Sequence, residues 1–422
     1  MSKLSTSLSL RIFLPFAVGY FLSYLFRVVN AVISTDLVAD TGIGPSALGL
    51  LTAIYFITFA SFQLPLGILL DRFGPRKTES VLLLFAAIGA FLFAQAESLM
   101  TLVIGRAFIG FGVSACLMAA FKAYALWFSS ERWPLINGLQ MAAGGMGALA
   151  ATSPVEYLLG ITDWRGLFLL LAALTFVVSL LVFFVVPEHR TKNAEQSLKK
   201  QVSGIKTVFT SMKFWRAAPV TTMSQASFLA IQGLWVGPWL RDVAGYDRAQ
   251  SADLMFWIAL CMVAGFMLLG GLAERLSRKG IPVMTTAVSG MGLFMVVQFL
   301  IVLLPASSVI PLWFLFGFSG TSGIIAYAAL SQDFPVELSG RVTTAVNLLV
   351  FVAAFAGQWA IGAVIEQWPL LEDGGYGEAG FKAGFIMMLI FQLLSLGWFF
   401  VATKLSRRLE TTEHKSVELN ED

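Results

Sequence analysis

Long runs without a charged residue alternate with short polar turns along this chain. Ile43–Leu70, Leu135–Val155, Leu167–Val186, Ala217–Leu240, Leu254–Ala273, Val342–Ile365 and Ala383–Thr403 contain no Asp, Glu, Lys or Arg. Each exceeds the roughly 18 apolar residues that mark a membrane-crossing helix. Ile281–Gln332 is also uncharged but too long for one span, and LPASSVIP (Leu304–Pro311) divides it in two. Ser80–Ala96 adds one more span, and Ile12–Thr35 and Leu99–Trp127 add two that charge interrupts. The pattern predicts twelve transmembrane helices. Open sheets cannot cross, because edge amides go unsatisfied in hydrocarbon, and the alternating segments of about ten residues that build a barrel are absent. The fold class is an all-α polytopic membrane protein.

Composition agrees: 57% of the 422 residues are hydrophobic and 13% charged, with a mean hydropathy of +0.80, where soluble chains carry roughly 25% charge. The net charge of +3 says less than its distribution. Of 28 Lys and Arg, 21 fall in one alternating set of loops and four in the other, with Arg27, Arg106 and Lys122 inside spans. The positive-inside rule places both termini in the cytoplasm. Compact loops and short tails point to a bacterial inner membrane. Cys116 and Cys261 lie in different spans, so no disulfide framework is expected. His189 and His414 fall in loops, so neither a metal site nor a cofactor is expected. No feature points to nucleic acid.

One turn is charged out of proportion to its surroundings. GILLDRFGPRKTE, Gly67–Glu79, holds five charged residues in thirteen, and Ser80–Ala96 after it has none. GGLAERLSRKG, Gly270–Gly280, repeats Gly-x-Leu-x-acid-Arg, with Asp71 and Glu274 203 residues apart. SSERWPLING (Ser129–Gly138) and LSGRVTTAVN (Leu338–Asn347) echo each other at an offset of 209. Two parallel six-helix repeats explain both offsets. The expected organisation is an N-terminal bundle over 1–187, a cytoplasmic linker over 188–213, a C-terminal bundle over 214–404 and a tail over 405–422. With twelve spans and a central loop, the Gly-x-Leu-x-Asp-Arg-x-Gly-x-Arg-Lys turn resembles that of the major facilitator superfamily. The resemblance implies two bundles rocking about a central cavity, with Gly67, Asp71, Arg72, Gly74, Arg76 and Lys77, and in the second copy Glu274 and Arg275, as a cytoplasmic gate latch. Gly67 is expected to let a neighbouring helix approach closely. The alternative is topology alone: basic residues hold the loop inside.

Charge inside a bilayer is expensive, at least roughly 2.5–3.5 kcal/mol on insertion scales, so charged positions within spans are the first candidates for function. Arg27 lies mid-span, and Ser23, Arg27 and Asn30 recur at i, i+4 and i+7 on one helix face, flanked by Tyr20 and Tyr24. Arg106 and Lys122 share the fourth span, but sixteen residues put them about 24 Å apart along the axis and roughly 160° apart in direction. Arg106 is therefore expected on the cavity beside Arg27, with Lys122 snorkelling towards the cytoplasm. No acidic residue is expected well inside a span; Asp36, Glu156, Asp253, Asp333 and Glu366 all fall near predicted ends. Two cations without a carboxylate should attract an anion. In the second half, Gln225, Gln232, Tyr327 and Asn347 are candidate contacts, although buried amides also serve as interhelical glue.

YLFRVVN around Arg27, RAFIG from Arg106, and Lys122 followed by WFSSERW are similar to the anion:cation symporter branch. There, paired arginines bind the substrate carboxylate, and a glutamate seven residues after the fourth-span arginine couples protons. Here that position is Val113, so the driving ion is left as a proton, a sodium ion or an exchanged anion. The reading is a secondary active transporter for a small organic anion (a carboxylate, sugar acid or phosphate ester) working by alternating access in a lipid bilayer. Substrate binding is assigned to Arg27, Asn30, Arg106, Tyr24, Gln225, Gln232, Tyr327 and Asn347. An efflux or neutral-solute carrier with structural arginines is the alternative, followed by a non-transporting receptor. An enzyme is not expected, since no His, Asp, Glu or nucleophilic Ser cluster shares one depth.

Overall fold

The computed structural model describes residues 6–128, 133–188, 206–369 and 375–421; the side chains of Asp71 and of 407–421, His414 among them, lie outside the described set, as does His189. Nine helices among the described residues are long and apolar enough to cross a membrane. The second crossing, Pro45–Ser61, is apolar but shorter because the helix breaks at Phe62. The fifth, Trp133–Ala150, breaks before Ser153–Leu159. The seventh, Met212–Ala230, buries Thr221, Thr222, Ser224 and Gln225, which dilute its apolar character. With these three the crossings number twelve.

Several crossings are built from broken helices. The first runs over Thr6–Val28 and Asn30–Thr41 and stops at Gly42, which caps it in the left-handed region. The fourth joins Leu99–Gly112 to Cys116–Trp127 through a 3₁₀ turn at Val113–Ala115. The seventh passes through a π turn at Ile231–Trp235 into Val236–Asp242. The sixth, eighth, ninth, eleventh and twelfth are Trp164–Val185, Arg248–Arg278, Val283–Leu303, Val336–Ile365 and Glu378–Glu421. The tenth joins Ile310–Ser319 to Gly323–Gln332.

The charged turn joins the second crossing to the third. Gly74, at φ 77° and ψ 165°, reverses the chain in a conformation open almost only to glycine, and Pro75 opens the third crossing, residues 75–94, where a missing amide costs nothing. Glu79 therefore lies inside the helix rather than in the turn. It is fully buried, and neither carboxylate oxygen has a hydrogen-bond partner among the described residues. This corrects the expectation that no acid lies well within a span. The apolar run beginning at Ser80 marks where charge ends, and the helix starts one turn earlier.

The two halves meet mainly away from that turn. The second and eleventh crossings make the most extensive helix contact in the molecule. A Cβ on Gly237 would strike the carbonyl of Ala31, so the seventh crossing lies directly against the first. On the face opposite the charged turn, the far face, Arg248 ties the halves together. It donates to Asp36 through Nη1 at 2.6 Å and Nη2 at 2.7 Å, and to Glu156 through Nε at 2.8 Å. Arg241 donates to Ser34 Oγ at 2.8 Å, and Ser153 to Asp253 at 2.7 Å. Nearby, Trp164 Nε1 and Arg165 Nη1 donate to Asp40 and hold its carboxyl below the usual carboxylate range. On the turn face, a cleft lined by Gln63, Leu66, Gly67, Leu70, Met118, Lys122 and Thr344 separates the halves. Among the described residues the ionic contacts between the halves lie on the far face.

Candidate functional site

Between the halves lies a cavity of 260 Å³ that shares Gln63 and Met118 with the open cleft. Its first-half wall comes from the first, second, fourth and fifth crossings, and its second-half wall from the seventh, eighth, tenth and eleventh. Arg27, Tyr24, Gln225, Gln232, Tyr327 and Asn347 all lie on this wall. These six belong to four crossings, the first, seventh, tenth and eleventh, and the fold brings them to one chamber.

Arg27 sits where the halves converge. It is 7% exposed, and among the described residues its Nε has no acceptor and no carboxylate lines the cavity. Its guanidinium lies 4.3 Å from the ring centre of Tyr24, 5.3 Å from Phe351 and 5.7 Å from Phe59. Ring faces attract a cation. The phenylalanines are 4.4 Å apart and belong to opposite halves, so the aromatic frame around Arg27 closes only when the bundles meet. Tyr20 packs edge-on against Tyr24 at 5.2 Å and continues the first crossing's face along the wall.

The second half contributes amides. Gln225 Nε2 donates to the carbonyl of Gly320 at 2.8 Å, which fixes its side chain at the cavity edge. Gln232 belongs to the π turn, a widened turn that re-aims side chains and recurs at functional sites. Gly233 on the same turn faces the backbone of Arg27. Tyr327 and Asn347 complete the polar patch.

Two residues expected at the site lie elsewhere. Arg106 is wholly buried off the wall, 5.0 Å from the ring centre of Tyr55. Its Nε, Nη1 and Nη2 have no acceptor among the described residues. Tyr55 in turn donates to the carbonyl of Ser23 at 3.1 Å, one turn before Arg27. Asn30 is buried and donates to Thr52 at 3.1 Å, pinning the first crossing to the second. It is not on the cavity wall. Val113 does line the cavity, and Lys122 lines the cleft outside it.

The charged turn shows no cross-half pairing among the described residues. Lys77 bridges at 2.5 Å to Glu188, just past the first bundle, and Glu274 pairs with Arg278 at 2.6 Å on its own helix. Arg76 stacks on Phe183 and Arg72 on Phe73. Gly67 faces open space instead of a close helix, because the cleft on this side is open.

Comparison with known proteins agrees with this architecture. The chain matches the Major Facilitator Superfamily over residues 16–358. It is 23% identical over 273 residues to a protein of Cupriavidus necator described as a probable sulfoacetate transporter, SauU, covering 62% of this chain and 64% of that one. It is 30% identical over 130 residues to the nitrate/nitrite transporter NrtP of a Picosynechococcus species, 31% of this chain and 24% of that one. The chain thus spans less than two thirds of the length of these relatives. A bacterial homologue of the human lysosomal transporter Spinster, solved inward-facing and occupied, superposes with a TM-score of 0.75 at 15% identity over 95% of this chain and 98% of that one. At that identity the likeness is one of fold. The family match runs from the first crossing into the eleventh, across every helix that lines the cavity, and the chain belongs to the Major Facilitator Superfamily of membrane transporters.

Proposed function

We propose that this transporter moves a small organic anion and holds it at Arg27. The observation that carries the reading is that Arg27 is the one charged side chain on the cavity wall among the described residues. A buried cation without a counter-ion is costly, and an anionic substrate supplies the missing partner. Relatives described as carriers of sulfoacetate and of nitrate and nitrite support an anionic substrate.

Transport proceeds by rocking of the bundles, residues 1–187 and 214–404, about the cavity. The turn face is cytoplasmic, in keeping with the basic residues around Gly67–Lys77, and the closed far face is extracellular. In the opposite state the turn-face cleft shuts, and Asp71, Arg72, Arg76, Lys77, Glu274 and Arg275 come within reach of the other half as the gate. Arg106 supports the site through Tyr55 instead of touching substrate.

Thermal stability of the purified protein tests the reading, since a ligand that binds the native state stabilises it by mass action. The panel comprises carboxylates, sulfonates, nitrate, phosphate esters, neutral sugars and hydrophobic cations, with Arg27→Ala alongside. Stabilisation by anions alone, lost in the variant, supports the proposal. Stabilisation by neutral solutes or cations, unchanged in the variant, rejects it.

A further inference from the structure

The walls around Arg27 restrict the anion further. The remaining first-half wall beside the tyrosines is largely apolar, with Leu117, Met118 and Phe121 from the fourth crossing, and the second half adds Phe228, Met262 and Ile324. The polar groups of both halves, Ser23, Gln63 and Ser114 as well as those of the seventh, tenth and eleventh crossings, are neutral amides and hydroxyls. None carries charge, and aromatic rings surround Arg27, the one cation on the wall among the described residues.

From this we infer that the substrate is a monoanion with an apolar body, its charged end at Arg27 and its body against the fourth, seventh and eighth crossings. The inference rests on the reading of Arg27 as the anion site. Charge balance carries it: one monoanion neutralises Arg27, whereas a dianion brings a second charge into a cavity with no second cation among the described residues. Arg106 is buried off the wall, and Lys122, one helical turn beyond Met118, lines the cleft outside. Only a long dianion reaches from Arg27 to Lys122.

The apolar body has its own consequence. Each methylene moved from water onto an apolar wall gains about three- to fourfold in affinity. Affinity should climb at that rate along a homologous series and level off when the cavity is full. A second carboxylate should cost about 70- to 400-fold in affinity relative to a monoanion of the same length.

Calorimetric titration of the full-length protein with straight-chain monocarboxylates of two to six carbons, the α,ω-dicarboxylates of equal length and the matching neutral alcohols tests this. Arg27→Ala, Arg27→Lys and Lys122→Gln run beside the parent. The expected result is binding of the monocarboxylates that strengthens with length, weaker binding of the dicarboxylates and none of the alcohols. Arg27→Lys should keep the length dependence and Arg27→Ala should abolish it, which separates cavity binding from partition into detergent. Dicarboxylates that bind as tightly as monocarboxylates, or that depend on Lys122, overturn the inference and leave the anion reading standing. A length dependence that is flat or falling among bound monocarboxylates also overturns it. Binding of alcohols on a par with acids, retained in Arg27→Ala, removes both. Absence of binding by either acid series removes the inference, and the wider anion panel then decides the broader reading.

Discussion

Replacing Arg248 by alanine should open the far face. This arginine is the first residue of its helix, where the helix dipole disfavours a cation, so its own helix gives no reason for it. Its reason lies across the interface. One guanidinium forks onto both oxygens of Asp36 and bonds Glu156, with side chains 35%, 26% and 16% exposed respectively. An exposed ion pair contributes about 0.2–1 kcal/mol, and forked, charge-assisted bonds are the stronger kind. Three such bonds on partly buried groups contribute about 2 kcal/mol to the closed far face, or about 30-fold in the equilibrium between the two states. Spin labels at Ile161 and Ala249, exposed positions on opposite halves, report the opening as a distance distribution. Arg248→Ala should move population to longer distances, and Arg248→Lys should do so less, because lysine cannot fork. An unchanged distribution in Arg248→Ala, with the fold intact, would refute the assignment of this cluster as the far-face latch.

Further outcomes follow from the same geometry. Gly237→Ala places a methyl group on the Ala31 carbonyl and should shift the label distances in the same direction as Arg248→Ala; a parent-like distribution would show that the helices yield at that contact. Glu79→Gln should keep or raise thermal stability, because the carboxyl has no described partner and its charged form is penalised by burial, whereas a loss of more than about 3 kcal/mol would mean that a broken buried pair had been present. Asp40 is depressed below the usual range by Trp164 and Arg165, so its stabilisation is complete above the unfolded value of about 3.9 and disappears as pH falls through the lower folded value. The melting-temperature gap between the parent and Asp40→Asn should therefore be constant near neutrality and close in acid; a gap independent of pH contradicts that.

Much of this was legible in one dimension because a bilayer imposes so strict a rule on sequence. Uncharged runs mark the crossings, and the repeat between Asp71 and Glu274 marks two halves. Arg27 stands out because a mid-span cation needs a reason. What one dimension lacks is rotation. Spacing shows that Arg106 and Lys122 point apart, but not which direction faces the cavity, and the 3₁₀ turn at Val113–Ala115 lies between them. Glu79 was hidden by its neighbours, since five charges in thirteen residues read as one solvated turn. The latch was out of reach for another reason. Arg248 lies 212 residues from Asp36 and 92 from Glu156, and each reads alone as an ordinary span end. Gln225 shows the converse: its position on the cavity was foreseeable from the helix face, but its bond to the carbonyl of Gly320 required the tenth crossing to be in place.

The central claim is that Arg27 recognises a transported anion, and counterflow tests it most directly because exchange of substrate across a vesicle does not depend on the driving ion. Proteoliposomes loaded with unlabelled pentanesulfonate, an anion that crosses lipid slowly, are diluted into a trace of the labelled compound. The account predicts transient accumulation of label by the parent protein and none by Arg27→Ala reconstituted at equal density. Equal accumulation by both would contradict it.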